Sequence, residues 1–319
     1  MNAVLSFDVL GLAPPGRGGG PSGAGLWRAL AVLFVAMAVA LASRAVQARD
    51  ASLAVQSLHA RLVSLQAEFD NNPFRRPIHL ESSERADSLA GEILSVVDYP
   101  FAIVSAALVS PVNWCDILLL HFNIKYCDSS VSAGRASLVV GLGKKFEQPA
   151  SEAYPIHFIF HPRVEDDAYF SIELAANSGP FGTRDYRFEI EAIPAASGRT
   201  LIHLRYAYAF GLSGRLAVRG YLATSGRDKR GFTVTGRGAD GEPVYIQGLR
   251  GVIERNTMRY CLAIEAWLAG ADAVPAERLE TRLHYWYAST EQYARQLHEM
   301  SLDEYLASKR HEFSQHLGK

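Results

Sequence analysis

The sequence predicts an α+β fold in which a long helix grips a curved antiparallel meander sheet, with extra helices at both ends. Two observations predict it. Six consecutive segments between residues 122 and 210 alternate apolar and polar side chains, as half-buried strands do. A later segment, residues 252–268, carries apolar side chains at helical spacing. Because the apolar face of such a sheet must be covered by another layer, this helix is the best candidate for the cover.

The composition of the 319-residue chain is that of an ordinary globular protein, with 49% hydrophobic and 20% charged residues. It excludes a disordered or collagen-like chain. The formal net charge of −1 provides no cationic excess, so we expect no nucleic-acid partner. Three cysteines are too few for a disulfide scaffold.

The first 48 residues are typical of an export signal. A Gly- and Pro-rich lead with Arg17 and Arg28 precedes an uncharged apolar run at residues 29–43. This run is shorter than the ~20 residues of a bilayer span, but it suits a signal-peptide core of ~7–15 residues. We predict cleavage after Ala48. An uncleaved membrane anchor and a buried core helix are the alternatives.

Both leading interpretations place residues 49–319 outside the cytoplasm. The domain is then periplasmic, or it is anchored to the inner membrane through the N-terminal segment, which would also supply a membrane contact. The predicted division of the chain is a signal peptide or anchor at 1–48, a helical lead at 49–75, a ligand-binding domain at 76–270 and a C-terminal helical extension at 271–319.

The segment before the sheet is predicted to be mostly helical. In residues 50–69 the apolar side chains recur at helical spacing, and we expect this helix to pack on its own domain, with a stalk or docking arm as alternatives. An extended stretch at 86–97 follows, and then two short helices at 100–111 and 113–121.

Six strands come next, each with one apolar and one polar face. The aromatic residues on the apolar faces include Phe122, Tyr126, Phe158, Tyr186, Phe188, Tyr206 and Tyr208. An antiparallel meander of this kind is wet on one side, and its twist curves it. A helix laid across a curved sheet leaves room for a cavity, and such cavities hold apolar ligands.

The region after the sheet predicts further elements. Residues 212–222 indicate a short amphipathic helix, and residues 231–246 indicate a hairpin with a turn at 236–241. From residue 275 onward the pattern predicts two helices. The second begins at a capping box that runs from Ser301 to Glu304.

The order of strand, two helices, six antiparallel strands and long helix resembles the START-like, or helix-grip, superfamily of lipid-transfer domains and polyketide cyclases. The resemblance covers roughly residues 86–268, and the segment PFAIVSAALVSPVNWCDIL is similar to the paired helices of those domains. The chain departs from the pattern in its terminal helices and in about 40 residues between the last strand and the long helix. The gripping helix is therefore residues 252–268 or, alternatively, residues 212–222.

The resemblance implies an apolar ligand between sheet and helix, and it carries over no catalytic residues. We expect the ligand to contact side chains on the apolar strand faces and on the long helix, namely Tyr126, Phe158, Tyr186, Phe188, Tyr206, Tyr208, Asn256, Arg259 and Tyr260. Because a buried phenol normally finds a hydrogen-bond partner, the tyrosines are suited to orienting a polar end of the ligand. Alternatively, they are large core fillers with their hydroxyls at the rim.

Two of the three cysteines lie near each other in the chain. Cys115 falls in the second short helix and Cys127 at the end of the first meander strand, so an oxidising compartment favours a disulfide between them. Two buried free thiols are the alternative. Cys261 is then the odd cysteine, which we expect in the core of the long helix.

The motifs of common metal and catalytic sites are missing from the sequence. There is no HExxH, CxxC or GxSxG, and the Gly-rich stretch at residues 141–145 lacks the spacing of a phosphate loop. His157 and His161 lie four positions apart on a strand, which places them ~13 Å from each other. We therefore expect neither a metal nor a cofactor.

Three functions remain open. The first is an exported binding module that holds or carries a lipid or other hydrophobic small molecule. The second is an enzyme of cyclase, dehydratase or hydrolase type on the same scaffold, which would need a polar pair in the cavity. The third is a structural or assembly protein of the cell envelope. An empty apolar cavity of several hundred Å³ favours the first, and a filled one the third.

Overall fold

An antiparallel sheet organises the chain in the computed structural model, which describes residues 37, 49, 51–145, 148–211, 214–216, 220 and 226–317. Within these residues the sheet has eight strands in the order β1-β2-β8-β7-β6-β5-β4-β3. They are β1 Ile78–Glu84, β2 Ser88–Val97, β3 Ile124–Ser132, β4 Arg135–Leu142, β5 Tyr154–Glu165, β6 Phe170–Ser178, β7 Thr183–Ala195 and β8 Arg199–Phe210. A separate hairpin pairs β9 (Val234–Arg237) with β10 (Pro243–Tyr245).

The helices precede, interrupt and follow the sheet. Residues 51–64 form α1. The helices with both ends inside the described ranges also include α2 Gln66–Asp70, α3 Phe101–Leu108, α4 Pro111–Leu119, α5 Gly248–Ala269, α6 Arg278–Glu291, α7 Ala294–Leu297 and α8 Leu302–Leu317. Residues 51–319 form one compact unit.

These elements confirm the α+β helix-grip architecture. All six predicted meander strands are present, as β3 to β8, and so is the hairpin. Strand β1 is an addition, because IHLESSE has only a weak alternation. Most of the apolar run at 29–43, the cleavage position and most of the helix predicted at 212–222 lie outside the described residues. The domain division within residues 49–319 stays a prediction.

Helix α5 is the helix that grips the sheet. It packs on β1, β2 and β8, and its other side contacts α4 and α6. The approach to β2 is close, because a Cβ atom at Gly91 would collide with the Thr257 hydroxyl. Glycine at this strand position therefore sets how near the helix lies to the sheet.

The opposite face of the sheet is also covered at one end. Leu58 of α1 and Phe69 of α2 are buried against Leu94, Ile193 and Leu201. The expectation of a fully wet outer face is wrong where these helices lie. The reason is that the N-terminal helix has an apolar stripe of its own to bury.

A charged network joins α1 to the outer face of the sheet. His203 lies between two carboxylates, with Nδ1 3.2 Å from Glu191 and Nε2 3.3 Å from Glu92. Arg61 of α1 reaches Glu92 at 3.5 Å and Glu81 at 3.0 Å. Burial opposes protonation of His203, but the hydrogen bonds to Glu191 and Glu92 outweigh it and raise the pKa of the imidazole.

The C-terminal extension packs around the corner between α4 and β3. Trp286 stacks on Tyr305 at 5.1 Å, and Lys309 donates to the carbonyls of His121 and Ile124. The predicted capping box is confirmed, since Ser301 N donates to the Glu304 carboxylate at 2.8 Å. This extension is therefore part of the same core as the sheet.

The predicted disulfide is present. Cys115 of α4 is bonded to Cys127 of β3, and their Cα atoms lie 5.2 Å apart. Cys261 is a buried free thiol in α5, and burial raises its pKa. A disulfide is typical of an oxidising compartment.

No single helix in the described residues is long and apolar enough to cross a membrane. Together α3 and α4 reach the required length and composition, but they bend by 89° where they meet.

We expect the Cys115→Ala/Cys127→Ala double variant to lose about 3 kcal/mol of unfolding free energy, because the disulfide closes a short loop in the unfolded chain. Denaturant unfolding with and without reductant measures this. Reductant should destabilise the wild-type chain and leave the double variant unchanged. Equal wild-type stability in both buffers would contradict the prediction.

We expect His203 to make stability depend on pH. Because its folded pKa is raised above the ordinary 6.5, its contribution is complete below pH 6.5 and is lost as pH rises through the folded pKa. Denaturant unfolding below pH 6.5 and in mildly alkaline buffer tests this. His203→Gln should remove that part of the slope, while His157→Gln, at an exposed position on β5, should keep it.

Candidate functional site

A small cavity lies between the concave face of the sheet and helices α4 and α5. Its volume is about 30 Å³. The lining is apolar and aromatic, and its members are Leu118, Ile124, Val140, Leu142, Ile156, Phe158, Leu174, Tyr186, Phe188, Tyr206 and Tyr260. We call this the central cavity.

Aromatic rings from two strands and the gripping helix meet at the central cavity. Phe188 stacks on Tyr206 at 4.5 Å, and Tyr260 of α5 meets both rings edge-on, at 4.7 Å and 5.3 Å. Tyr186 stacks on Tyr208 at 5.3 Å. Period-two alternation places all four strand residues on the same face of the sheet, and Tyr260 approaches them from the helix.

The hydroxyl groups in this cluster differ in their partners. Tyr186 donates to Thr183 Oγ1 at 2.7 Å. No group in the described part of the chain hydrogen-bonds the hydroxyls of Tyr206, Tyr208 or Tyr260, although these residues are at most 8% exposed. Burial raises the pKa of all three phenols, so each remains protonated and able to donate.

The central cavity is smaller than the carrier hypothesis requires. An apolar cavity of about 150 Å³ holds a benzene ring, and about 15 Å³ of accessible space holds one water molecule. A volume of about 30 Å³ therefore leaves room for water but not for a ring. The aromatic side chains themselves fill most of the space under the helix.

The predicted site residues lie in three places: lining the central cavity, beside it, or away from it. Phe158, Tyr186, Phe188, Tyr206 and Tyr260 line the central cavity. Tyr208 lies beside it, in contact with two of the lining tyrosines.

Tyr126 is not among the lining residues. The register of β3 against β4 shifts between Ile124 and Tyr126, and this bulge turns Tyr126 away from the face that Ile124 shares. Its ring lies over Gly141 of β4, where a Cβ atom would collide with it. The alternation in the sequence does not reveal the extra residue.

The two polar helix residues lie elsewhere as well. Arg259 donates to Glu299 Oε1 at 3.0 Å and to the Leu297 carbonyl, and its guanidinium lies 4.7 Å from the centre of the Phe122 ring. Asn256 is half-buried and does not line the cavity. Arg259 therefore binds the C-terminal extension to the gripping helix.

His121 is a site neighbour that the sequence analysis missed. Its imidazole stacks on Tyr260 at 5.2 Å and accepts from the Asn123 amide at Nδ1, whereas Nε2 has no partner among the described residues. Burial, together with the nearby charges of Arg259, Lys309 and Lys125, lowers its pKa well below the ordinary value. The only signal was its position at the end of an apolar helix.

The described lining carries no carboxylate and no imidazole. Nor do the described residues contain a group of three or more His, Cys, Asp or Glu side chains placed to hold a metal ion. Hydrogen bonding by phenols within an apolar enclosure is the chemistry that this geometry provides.

No family model matches the chain, and no curated protein has a significantly similar sequence. Among solved structures, it is similar to truncated norcoclaurine synthase from Thalictrum flavum, with a TM-score of 0.32 and 12% identity over 45% of this chain and 89% of that one. The Zhui aromatase/cyclase from Streptomyces sp. R1128 gives 0.29 and 13% identity over 68% and 96%. The likeness concerns the fold alone, and the assignment depends on this chain's own strand order and helix packing.

We expect Tyr186→Phe to lower the unfolding free energy by about 1 kcal/mol, because it removes a hydrogen bond that the protein makes. Tyr206→Phe and Tyr208→Phe should leave it unchanged or slightly higher, since no described protein group is lost as a partner. Urea unfolding of the three variants measures the contrast. An equal loss in all three would contradict it.

Proposed function

We propose that this chain binds a small hydrophobic molecule that carries a hydrogen-bonding group, between the sheet and the gripping helix. The observation that supports it best is the set of three phenol hydroxyls on the buried residues Tyr206, Tyr208 and Tyr260, which have no hydrogen-bond partner among the described residues and are not sealed off from a water-sized molecule. Apolar burial would supply the affinity, and the phenols would orient the ligand.

A phenol hydroxyl without a hydrogen-bond partner carries a free-energy cost. A donor without a partner costs up to about 1–3 kcal/mol when it is fully buried, and phenylalanine would fill nearly the same space without any such cost. The presence of tyrosine at these positions has a reason if the hydroxyls form hydrogen bonds with a polar group of a bound ligand. A carbonyl, hydroxyl or ether oxygen on an otherwise apolar molecule fits this requirement.

The small volume limits how binding can occur. Because about 30 Å³ does not admit a ring, the bound molecule must displace aromatic side chains. Rotamer changes of this kind are common when a ligand binds while the backbone stays in place. The cluster of Phe188, Tyr206 and Tyr260 lies where such a displacement would open the cavity.

The disulfide between Cys115 and Cys127 supports a location outside the cytoplasm. We place residues 49–319 in the periplasm, free or held near the membrane by the N-terminal segment. A hydrophobic ligand with low solubility in water is the kind of molecule for which a protein carrier in that compartment is useful.

The small cavity favours one second function. A sheet packed solid against its helix is what a structural or assembly protein needs, and its terminal helices would then bind a partner. On this alternative the unpaired phenols meet water molecules rather than a ligand.

Native mass spectrometry of the full chain from its own envelope, with organic extraction, tests the proposal. We expect a stoichiometric apolar molecule on the wild-type protein. The Tyr206→Phe/Tyr260→Phe variant should lose most of it, because the orienting hydrogen bonds are gone, while Tyr186→Phe should retain it as the matched control.

A clean apo mass, together with no uptake from a total lipid extract, would overturn the proposal and favour the packed structural protein. Equal occupancy in the wild type and the double variant would show that the phenols do not hold the ligand.

A further inference from the structure

A second cavity lies away from the central one, where three segments outside the meander meet. It is bounded by the loop between α2 and β1, by the β9–β10 hairpin with the residues before it, and by the region from the end of α6 to α7. Its volume is about 190 Å³. We call it the hairpin pocket. An apolar cavity of about 150 Å³ holds a benzene ring, so the hairpin pocket has room for a single-ring molecule.

Three aromatic rings in mutual contact form one wall of the hairpin pocket. Phe74 and Phe232 lie 5.6 Å apart, and Tyr293 meets them edge-on at 6.1 Å and 5.6 Å. The Tyr293 hydroxyl donates to the Phe74 carbonyl at 3.2 Å, which fixes the ring. This wall offers aromatic edges and faces to a planar guest.

A buried carboxylate holds Phe232 in this wall. Glu254 of α5 is fully buried and accepts from the backbone amides of Phe232 and Thr233, at 2.7 Å and 3.0 Å. It also accepts from Ser82 of β1. The wall is therefore tied to the gripping helix and the sheet edge, so the pocket is built on rigid elements.

Tyr245 and Arg295 form another part of the lining. The Arg295 guanidinium lies 4.9 Å from the centre of the Tyr245 ring. An arginine stacked on a ring presents a flat surface on which a planar π-system can lie.

The side-chain amide of Gln296 is a polar group of the hairpin pocket that makes no hydrogen bond to the described residues. The residue lines the pocket and is 7% exposed. No described residue hydrogen-bonds its side-chain amide. The amide atoms of Gln296 are also not among the fully buried polar atoms that lack a partner, so a small molecule can reach them. A carboxamide both donates and accepts, so it is matched by a partner with an adjacent acceptor and donor.

We propose that the hairpin pocket binds a small planar aromatic molecule bearing an amide or lactam edge. The ring would lie among Phe74, Phe232 and Tyr245, and the edge would pair in two hydrogen bonds with the Gln296 amide. Ring stacking supplies affinity, and the paired edge supplies selectivity over plain hydrocarbons. This site is separate from the central cavity and does not depend on the function proposed for it.

Isothermal titration calorimetry on the full chain tests this, with benzamide as the probe and with toluene and acetamide as matched controls. We expect saturable one-site binding of benzamide, about tenfold tighter than that of toluene or acetamide, because only benzamide offers both a ring and an amide edge.

Variants locate the site. Gln296→Leu should weaken benzamide about tenfold, to the level of toluene, while the unfolding free energy stays equal or rises, because that amide has no partner among the described residues. Gln292→Leu makes the same change at an exposed position of the pocket rim. It should keep the affinity for benzamide within twofold of the wild-type value. Tyr206→Phe, in the central cavity, should also leave it unchanged.

Three results would overturn the proposal. They are no saturable heat from benzamide, equal affinities for benzamide and toluene in the wild-type chain, or an unchanged benzamide affinity in Gln296→Leu. A loss of benzamide binding in Tyr206→Phe would instead move the site to the central cavity, and it too would contradict the assignment made here.

Discussion

The close packing of α5 on β2 is the contact on which the rest of the molecule depends. Gly91 admits Thr257 against the strand, and one turn earlier in the helix the buried Glu254 accepts a hydrogen bond from Ser82 of the neighbouring strand. The helix is thus held at one end of the sheet. Its far side is then free to carry α4, α6 and the C-terminal extension, which together close the concave face.

Some polar groups in this core have hydrogen-bond partners within the protein, and others have none among the described residues. Lys125 and Lys309 are almost completely buried, yet each donates to backbone carbonyls at the corner of α4 and β3 and to Glu312. The cost of burying these charges is offset by hydrogen bonds. The hydroxyls of Tyr206, Tyr208 and Tyr260 and the amide of Gln296 have no such compensation among the described residues, and this contrast is the basis of both binding proposals.

The two cavities also differ in how much they must change to accept a molecule. The central cavity is filled by its own aromatic rings, so any guest must compete with the contacts among Phe188, Tyr206 and Tyr260. The hairpin pocket is already open, and its wall is fixed by Glu254 and by the Tyr293 hydrogen bond. The hairpin pocket is preorganised, which favours binding of a rigid ring. The central cavity must rearrange, which suits a larger apolar molecule.

By itself the sequence determined the features that depend on near neighbours in the chain. Period-two alternation predicted β3 to β8 and the shared face of Phe158, Tyr186, Phe188 and Tyr206, and helical spacing predicted α5. Cys115 and Cys127 are close in the chain, and this closeness predicted the disulfide between them. These patterns are local because each strand or helix must hide its own apolar side from water.

Only the tertiary structure decided the features that depend on distant partners. A bulge in β3 turned Tyr126 to the other face, and Glu299, far along the chain, drew Arg259 away from the cavity. The hairpin pocket combines residues near positions 74, 232, 245 and 296, which no local pattern connects. Bulges, ion pairs and pockets arise from the register and packing of whole elements, and one stretch of sequence does not contain that information.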